Sequence, residues 1–460
     1  MTARRIHLNA FDMTCAGHQS PGLWRHPDDE SHRFHDLTYW TDLAQLLERG
    51  GFTSLFVADV LGLYDVYRGG PEPAIRDGIQ VPVRDPTLAV SAMAAVTERL
   101  GFGITVSLTY EKPYAFARRL ATLDHYTRGR VAWNVVTSYL DSAARNLGLE
   151  VQVPHDRRYD VADEFMDVVY QLWEASWDAD AVRLDRENGI YTDPEKVHPI
   201  GHHGEFFDVP GIGLTEPSPQ RTPTIFQAGA SPRGSAFAAR HAEGVFVTAA
   251  TPETLAPRIV ATRRTATELG RDPRSLKYFS LLTVVTGATD AEAQEKYEDL
   301  RRYVSLEGAL TLYGGWSGLD LSTMDPDEPL RYAETEALRS AVEQFTTADP
   351  DREWTPRDIA EHIGIGGMGA VVVGGPETVA DEMAHWVDVA DVDGFNLAYA
   401  TTPGTFTDVV EHVVPELRRR GMLAERPEGA TLREHLYGEG HAHALADHPA
   451  AAHVRRTVPA

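Results

Sequence analysis

Short apolar runs alternate with amphipathic stretches along most of this chain, and that alternation restricts its fold more than any other feature. In the first half, "RIHLNAF" (5–11), "TSLFVAD" (53–59), "FGITVSLTY" (102–110) and "RVAWNVVTS" (130–138) read as strands. Interleaved with them, "LTYWTDLAQLLERGG" (37–51), "PTLAVSAMAAVTERLG" (86–101), "PYAFARRLATLDHYTRG" (113–129) and "YDVADEFMDVVYQLWEAS" (159–176) space their apolar residues for helices. Gly50 and Gly51 stop the first helix and Pro86 opens the second. The pattern resumes with strands "TPTIFQAG" (222–229), "GVFVTAA" (244–250), "KYFSLLTVVTG" (277–287) and "DGFNLAYA" (393–400). Their helices are "PRGSAFAARHAE" (232–243), "PETLAPRIVATRRTATELG" (252–270), "DAEAQEKYEDLRRYVSL" (290–306), "PETVADEMAHWVDVA" (376–390) and "FTDVVEHVVPELRRRG" (406–421). Pro257 is expected to shorten or bend the start of its helix.

About eight strand-then-helix units in succession demand parallel strands joined by right-handed crossovers. The expected fold is α/β, a closed (β/α)8 barrel forming a single domain over 1–421. Two insertions interrupt it: a polar, turn-rich one at about 177–222, after strand four, and a loop-rich, acidic one at about 307–370, after strand seven. The segment 422–460 reads as a loosely structured tail. A doubly wound open sheet is the alternative, but no G-x-G-x-x-G follows the first strand, as a dinucleotide-binding sheet would usually require.

Charge excludes some partners. With 43 basic and 68 acidic residues the net charge is −25, which repels phosphate backbones and anionic lipid; neither nucleic acid nor a membrane surface is an expected partner. Cys15 is the single cysteine, so no intrachain disulfide can form and a reducing cytoplasm fits. "MTARRIHLNAF" lacks the apolar centre of a signal peptide, and no apolar run is long enough for a spanning helix.

In such a barrel the chemistry gathers at the C-terminal ends of the strands. "NAFDMTCAGHQSPGLWRHP" (9–27) leaves strand one there, carrying Cys15 and His18. The two could form a nucleophile pair, or the cysteine could only shape a pocket; His18 could donate or accept a proton, its ordinary pKa lying near working pH. "QAGASPRG" (227–234) combines a strand end, small residues, a Ser231 cap, Pro232 at the first helical position and Arg233. It could be a phosphate site built from helix amides and an arginine, or an ordinary cap. Asp59 ends strand two, as an acceptor for a ligand ring N–H or as half of a salt bridge. Asn134 sits within strand four, to read a heterocycle edge or to tie strands together. Ser138 and Tyr139 follow it, and Tyr159 in "HDRRYD" (155–160) could place its phenol over the mouth or pack in the core. His198, His202 and His203 match no standard metal spacing and read as an insertion turn; no metal site is expected. His435, His441, His443, His448 and His453 of the tail read as solvated.

Taken in order, "GLWRHP" (22–27), "YWTDLAQLLERGGF" (39–52), "ARRLATLDHYTRGRVAWNVVTS" (117–138), "HDRRYDVADEF" (155–165), "YTDPEKVH" (191–198) and "EPSPQRTPTIFQAGASPRG" (216–234) carry a resemblance. They resemble the flavin-dependent monooxygenases grouped with nitrilotriacetate monooxygenase, pristinamycin synthase and dibenzothiophene-sulfone monooxygenase, among the bacterial-luciferase-like barrels. Through "MTCAGH" (13–18), "LGLYDVYR" (61–68) and "TYEKPY" (109–114) the chain is most similar to the long-chain alkane monooxygenase branch. The resemblance implies reduced FMN as cosubstrate, supplied by a separate NAD(P)H:flavin reductase. It further implies O2 adding at flavin C4a, transfer of one oxygen atom to a small organic substrate, and a homodimer or homotetramer. It carries flavin contacts onto Asp59, Asn134, Ser138, Tyr139, Tyr159 and the run Ala228, Gly229, Ala230 and Ser231, and a reactive face onto His18, Cys15, Tyr64 and Gln80. Where the alkane branch has histidines this chain has Tyr139 and Leu312, which leaves alkanes, organosulfur compounds and amines open as substrates and rests the contact of Tyr139 on its backbone. The alternatives are a deazaflavin-dependent hydride-transfer oxidoreductase, an inactive flavin-binding protein, and a metal-dependent hydrolase, for which strand one offers only His7.

Overall fold

A computed structural model describes residues 4–229, 231–332, 335, 337–347 and 352–455. Eight parallel strands form its ring: β1 (His7–Met13), β2 (Ser54–Ala58), β3 (Gly101–Ser107), β4 (Val131–Val136), β5 (Thr224–Gln227), β6 (Gly244–Val247), β7 (Lys277–Val285) and β8 (Gly394–Ala398). Asn9 stands level with both Ser54 of β2 and Asn396 of β8, and Gly244 of β6 with Lys277 of β7, so the sheet closes on itself. A further short strand, Ala370–Val373, pairs with β7 beyond the end of β6.

The helices form where their patterns placed them. In α1 (Leu37–Gly50) the Asp36 side chain accepts from the Thr38 amide, and Gly51 ends the helix at φ 76°, a conformation that favours glycine. Its buried stripe includes Trp40, Leu43 and Leu47, each leucine contributing roughly 1.5–3 kcal/mol of burial. α2 (Thr87–Ala95) and α3 (Pro113–Thr127) follow β2 and β3, and α4 (His155–Tyr170) follows β4. α5 (Pro232–His241), α6 (Pro252–Glu268) and α7 (Asp290–Arg301) cover the next strands. Pro257 does not shorten α6, which starts at Pro252 under a Thr251 cap. So near the helix start, a missing N–H forfeits one hydrogen bond at most.

The two insertions gain detail and the tail is corrected. The insertion 307–370 carries helices among its loops: α8 (Leu306–Ser317), α9 (Arg339–Gln344) and α10 (Pro356–Ile363) enclose a second core of Tyr313, Trp316, Phe345, Trp354 and Ile359. The 177–222 segment carries two small antiparallel hairpins, Val182–Asp185 with Ile190–Thr192 and His202–His203 with Asp208–Val209. The tail is not loose. After α11 (Pro376–Ala390), α12 (Leu432–Tyr437) is held by a capping box and plugs the lower end of the barrel. Leu432 packs so closely on Gly101 that a Cβ there would lie 2.6 Å away. His435 and His448 are buried rather than solvated, whereas His441 and His443 are exposed. No helix among the described residues is long and apolar enough to cross a membrane.

Above the plug, the barrel interior is filled by aromatic rings. Phe11 stacks on Phe56 with centroids 5.0 Å apart, and Phe56 on Phe246 at 4.2 Å. These rings form the floor of what lies at the other end.

Candidate active site

At the C-terminal ends of the strands the side chains stop short of filling the barrel, leaving a cavity of about 290 Å³. Phe11, Phe56, Phe246 and Leu281 make its apolar base, and Trp316 reaches over it from α8. Polar residues rise from the strands between them. Asn134 Nδ2 donates to Thr105 Oγ1 at 3.0 Å, but Asn134 Oδ1 has no partner among the described residues, nor have Gln227 Oε1 and Asn396 Oδ1. Asn134 therefore ties β4 to β3 with one end and offers an acceptor with the other. Buried polar atoms are normally paired, so such orphans mark a place where a ligand belongs.

One wall is a hydrogen-bonded chain. Tyr64 donates to Gln80 Oε1 at 2.8 Å, and Gln80 Nε2 donates to the His18 carbonyl at 3.3 Å. The Tyr139 hydroxyl lies 2.7 Å from that of Tyr64. Since the Tyr64 proton is committed to Gln80, Tyr139 donates to Tyr64 and presents only lone pairs beyond it. The Tyr139 side chain thus belongs to the wall, whereas Leu312 is buried in the second core. The His18 ring packs on the edge of Phe11, centroids 4.4 Å apart, and Gln19 Nε2 lies 3.3 Å from His18 Nε2. An amide donor there makes Nε2 the acceptor and leaves the proton on Nδ1, which has no partner among the described residues. Burial lowers the His18 pKa to about 3, so the ring is neutral at working pH. That corrects the expectation of a group titrating near neutrality. Cys15 is buried but does not line the cavity, and burial raises its thiol well above the usual range, which argues against a thiolate paired with His18.

Asp59 lies on the wall at the end of β2 with no ion-pair partner among the described residues. Burial, with help from the negative charge of Asp85, raises its pKa to about 7. The salt-bridge alternative thereby falls away, and an acceptor facing the cavity remains. Ser138, at φ 58°, donates to Ser107 Oγ at 2.7 Å.

Past the ends of β4 and β5 the cavity is lined by the first turns of α4 and α5. Ser231 caps α5: its Oγ accepts from the Gly234 amide at 3.0 Å and lies 3.2 Å from His155 Nε2. Gly229 and Gly234 pack under the Tyr159 hydroxyl, where a Cβ on either would come within 2.8 Å of it. Only glycine fits beneath that phenol. Ala228 and Gly229 line the cavity; Ala230 lies outside the described residues. Arg233, expected to face an anion, turns away: it bonds Asp163 at 2.7 Å and covers the outer face of the Tyr159 ring. Arg158, which the sequence reading passed over, lines the cavity instead. Its signal was present in "HDRRYD", because His155, Arg158, Tyr159 and Ala162 share one face at helical spacing. His198, His202 and His203 each pair with an acid, respectively Asp178, Glu164 and Asp208, and no group of three or more metal-capable side chains occurs among the described residues.

Comparison with known proteins agrees with this architecture. Residues 11–392 match the luciferase-like monooxygenase family. Dimethyl-sulfide monooxygenase of Hyphomicrobium sulfonivorans is 54% identical over 448 residues, 97% of this chain and 93% of that one. Long-chain alkane monooxygenase of Geobacillus thermodenitrificans is 48% identical over 97% of this chain and 98% of that one. Among solved structures, a riboflavin lyase bound to modified FMN and riboflavin superposes with a TM-score of 0.92 at 38% identity, covering 98% of this chain and 100% of that one. With a family match over most of its length and near relatives along nearly all of it, the chain belongs to the luciferase-like monooxygenases.

Proposed function

We propose that this protein binds reduced FMN in the strand-end cavity and uses it with O2 to place one oxygen atom on a small organic substrate. The observation that carries the reading is the presence, in one cavity, of unpartnered acceptors on several strands together with an oxyanion cradle at the ends of β4 and β5. Asp59, Asn134 Oδ1 and Gln227 Oε1 suit the N–H edge of a flavin ring. Ser231, Tyr159 and Arg158 suit a phosphate, the guanidinium supplying charge and the cap a helix N-terminus. Bound reduced flavin supplies the electrons that activate O2.

The chain's own residues do the rest. Arg158 and the Ser231 cap hold the anionic tail, and the acceptors orient the ring. Neutral His18 presents Nδ1–H as a fixed hydrogen-bond donor, and Gln80 holds its backbone in place. Tyr139 and Tyr64 set an acceptor beside the reacting region. Phe11, Phe56, Leu281 and Trp316 keep water out, so that activated oxygen is not lost to solvent. A separate reductase supplies the reduced flavin; a relative 34% identical over 90% of this chain is named component A of nitrilotriacetate monooxygenase, which fits a second component. A thioether is the first substrate to try, since the relative at 54% identity is named for dimethyl sulfide.

Anaerobic titration tests the reading. Reduced FMN is expected to bind with Kd on the order of micromolar and oxidised FMN more weakly, as for a flavin that diffuses between proteins. Mixing the reduced complex with O2 and dimethyl sulfide should consume the sulfide stoichiometrically with flavin. Permanent, tight binding of oxidised flavin, or hydride transfer without O2, would overturn the proposal.

A further inference from the structure

Arg258, on α6, lines the same cavity beside Val247 and Thr248, just past the end of β6. Its guanidinium makes a single hydrogen bond among the described residues, from Nη1 to the Thr248 carbonyl at 2.9 Å. No carboxylate among the described residues lies within ion-pair distance of it. The one acid whose charge it feels is Glu343 on α9, and burial pulls its pKa below the ordinary arginine value.

Arg258 is half-buried; three arginines buried more deeply are paired within the fold. Arg130 spends its donors on Thr127, Thr97, Leu100 and Ala94 oxygens. Arg433 grips both oxygens of Glu243 and two carbonyls within 2.8 Å. Arg263 is paired with Asp391 and Asp393. A guanidinium carries five N–H donors and no acceptor, so most donors of Arg258 are left for whatever fills the cavity. Thr248 and Ser340 line the cavity as well. The one carboxylate on the cavity wall among the described residues, Asp59, stands at the end of β2, and in the ring order β2 and β6 face each other across the barrel. Across the cavity from its one acid, therefore, stands a cation with few protein partners.

We propose that Arg258 recognises an oxyanion inside the cavity, a phosphate, sulfonate or carboxylate, belonging either to the cofactor tail or to a charged end of the substrate. Its donor fork matches two oxygens of such a group. The inference rests on the reading of the cavity as the flavin and substrate chamber.

The full-length protein, Arg258→Gln and Arg258→Lys are compared by thermal unfolding and by FMN and riboflavin fluorescence quenching. Inorganic phosphate and methanesulfonate, each set against sodium chloride at equal ionic strength, should raise the unfolding midpoint of the wild type. Arg258→Gln should lose that rise and Arg258→Lys keep part of it. If the anion is the cofactor tail, Arg258→Gln weakens FMN about tenfold or more and leaves riboflavin unchanged. If it is the substrate's, the FMN-to-riboflavin ratio holds while methanesulfonate binding to the FMN-loaded protein weakens about tenfold. A glutamine variant that answers phosphate, methanesulfonate and FMN as the wild type does overturns the proposal. Should that variant not fold, an unaltered response in Arg258→Lys overturns it equally. A wild type that takes up neither flavin sinks the flavin reading, and the anion-dependent midpoints still decide on Arg258.

Discussion

The two ends of the barrel handle buried charge in opposite ways. At the lower end Arg433 and Glu243 are fully sequestered, 0% and 1% exposed, and bonded at 2.6 Å, with the remaining donors of Arg433 spent on carbonyls of the surrounding loops. At the upper end Asn134, Gln227, Asn396 and His18 each keep an atom without a partner, Asp59 has no counter-charge and Arg258 a single hydrogen bond, all judged among the described residues. The chain is able to satisfy a buried guanidinium completely, and does so where nothing but protein is needed. His435 on α12 also keeps both ring nitrogens without a partner among the described residues, so the difference lies in charge: where strand ends converge, Asp59 and Arg258 stand without counter-ions, as a binding chamber requires and a structural closure does not.

The comparison can be broken most forcefully at the lower end. Arg433→Met strands a buried Glu243, so it should cost about 3–5 kcal/mol in denaturant unfolding, and adding Glu243→Leu should recover much of that loss. Flavin affinity per folded molecule should not change; if it did, the two ends would not be independent. At the upper end, Ser231→Ala removes one cap bond and should cost about 1 kcal/mol of stability. It should also weaken flavin uptake about tenfold, a loss of cofactor out of proportion to the loss of fold.

The smallest effect is in pH dependence. The Asp59 carboxyl has its pKa raised from 3.8 to about 7, so the folded state holds that proton after the unfolded chain has released it. Its contribution is present below 3.8 and is lost as pH rises through about 7. His18, lowered from 6.5 to about 3, acts in the other direction, its contribution being lost as pH falls from 6.5 toward 3. Denaturation midpoints across this range should flatten on the alkaline side in Asp59→Asn and on the acid side in His18→Gln. Unchanged profiles in both would mean that these groups are less buried than the cavity geometry requires.

Much of the barrel was legible before its coordinates. Each of the eight ring strands falls within or beside the run expected to hold it, and Ser231 with Pro232 opens its helix as expected. The site was legible in outline: Asp59, Asn134, Ser138, Tyr139, Tyr159 and Ser231 share one cavity with His18, Tyr64 and Gln80. What failed were choices between neighbours. Arg233 carried the more obvious motif, yet Asp160 and Asp163, on the adjacent helix, draw it outward. Cys15 and His18 are three residues apart, yet only the histidine reaches the wall.

The sequence by itself determined the order of strands and helices, the helix starts and which loops gather at the mouth. Those depend on side-chain periodicity and capping within a few residues, which any short window of the chain displays. Tertiary structure decided the rest: that the tail seals the lower end, that His18 stays neutral, and which arginine faces the cavity. Burial and pairing depend on partners far away in the chain. Arg433 and Glu243 stand 190 residues apart, and no local pattern announces that one will neutralise the other.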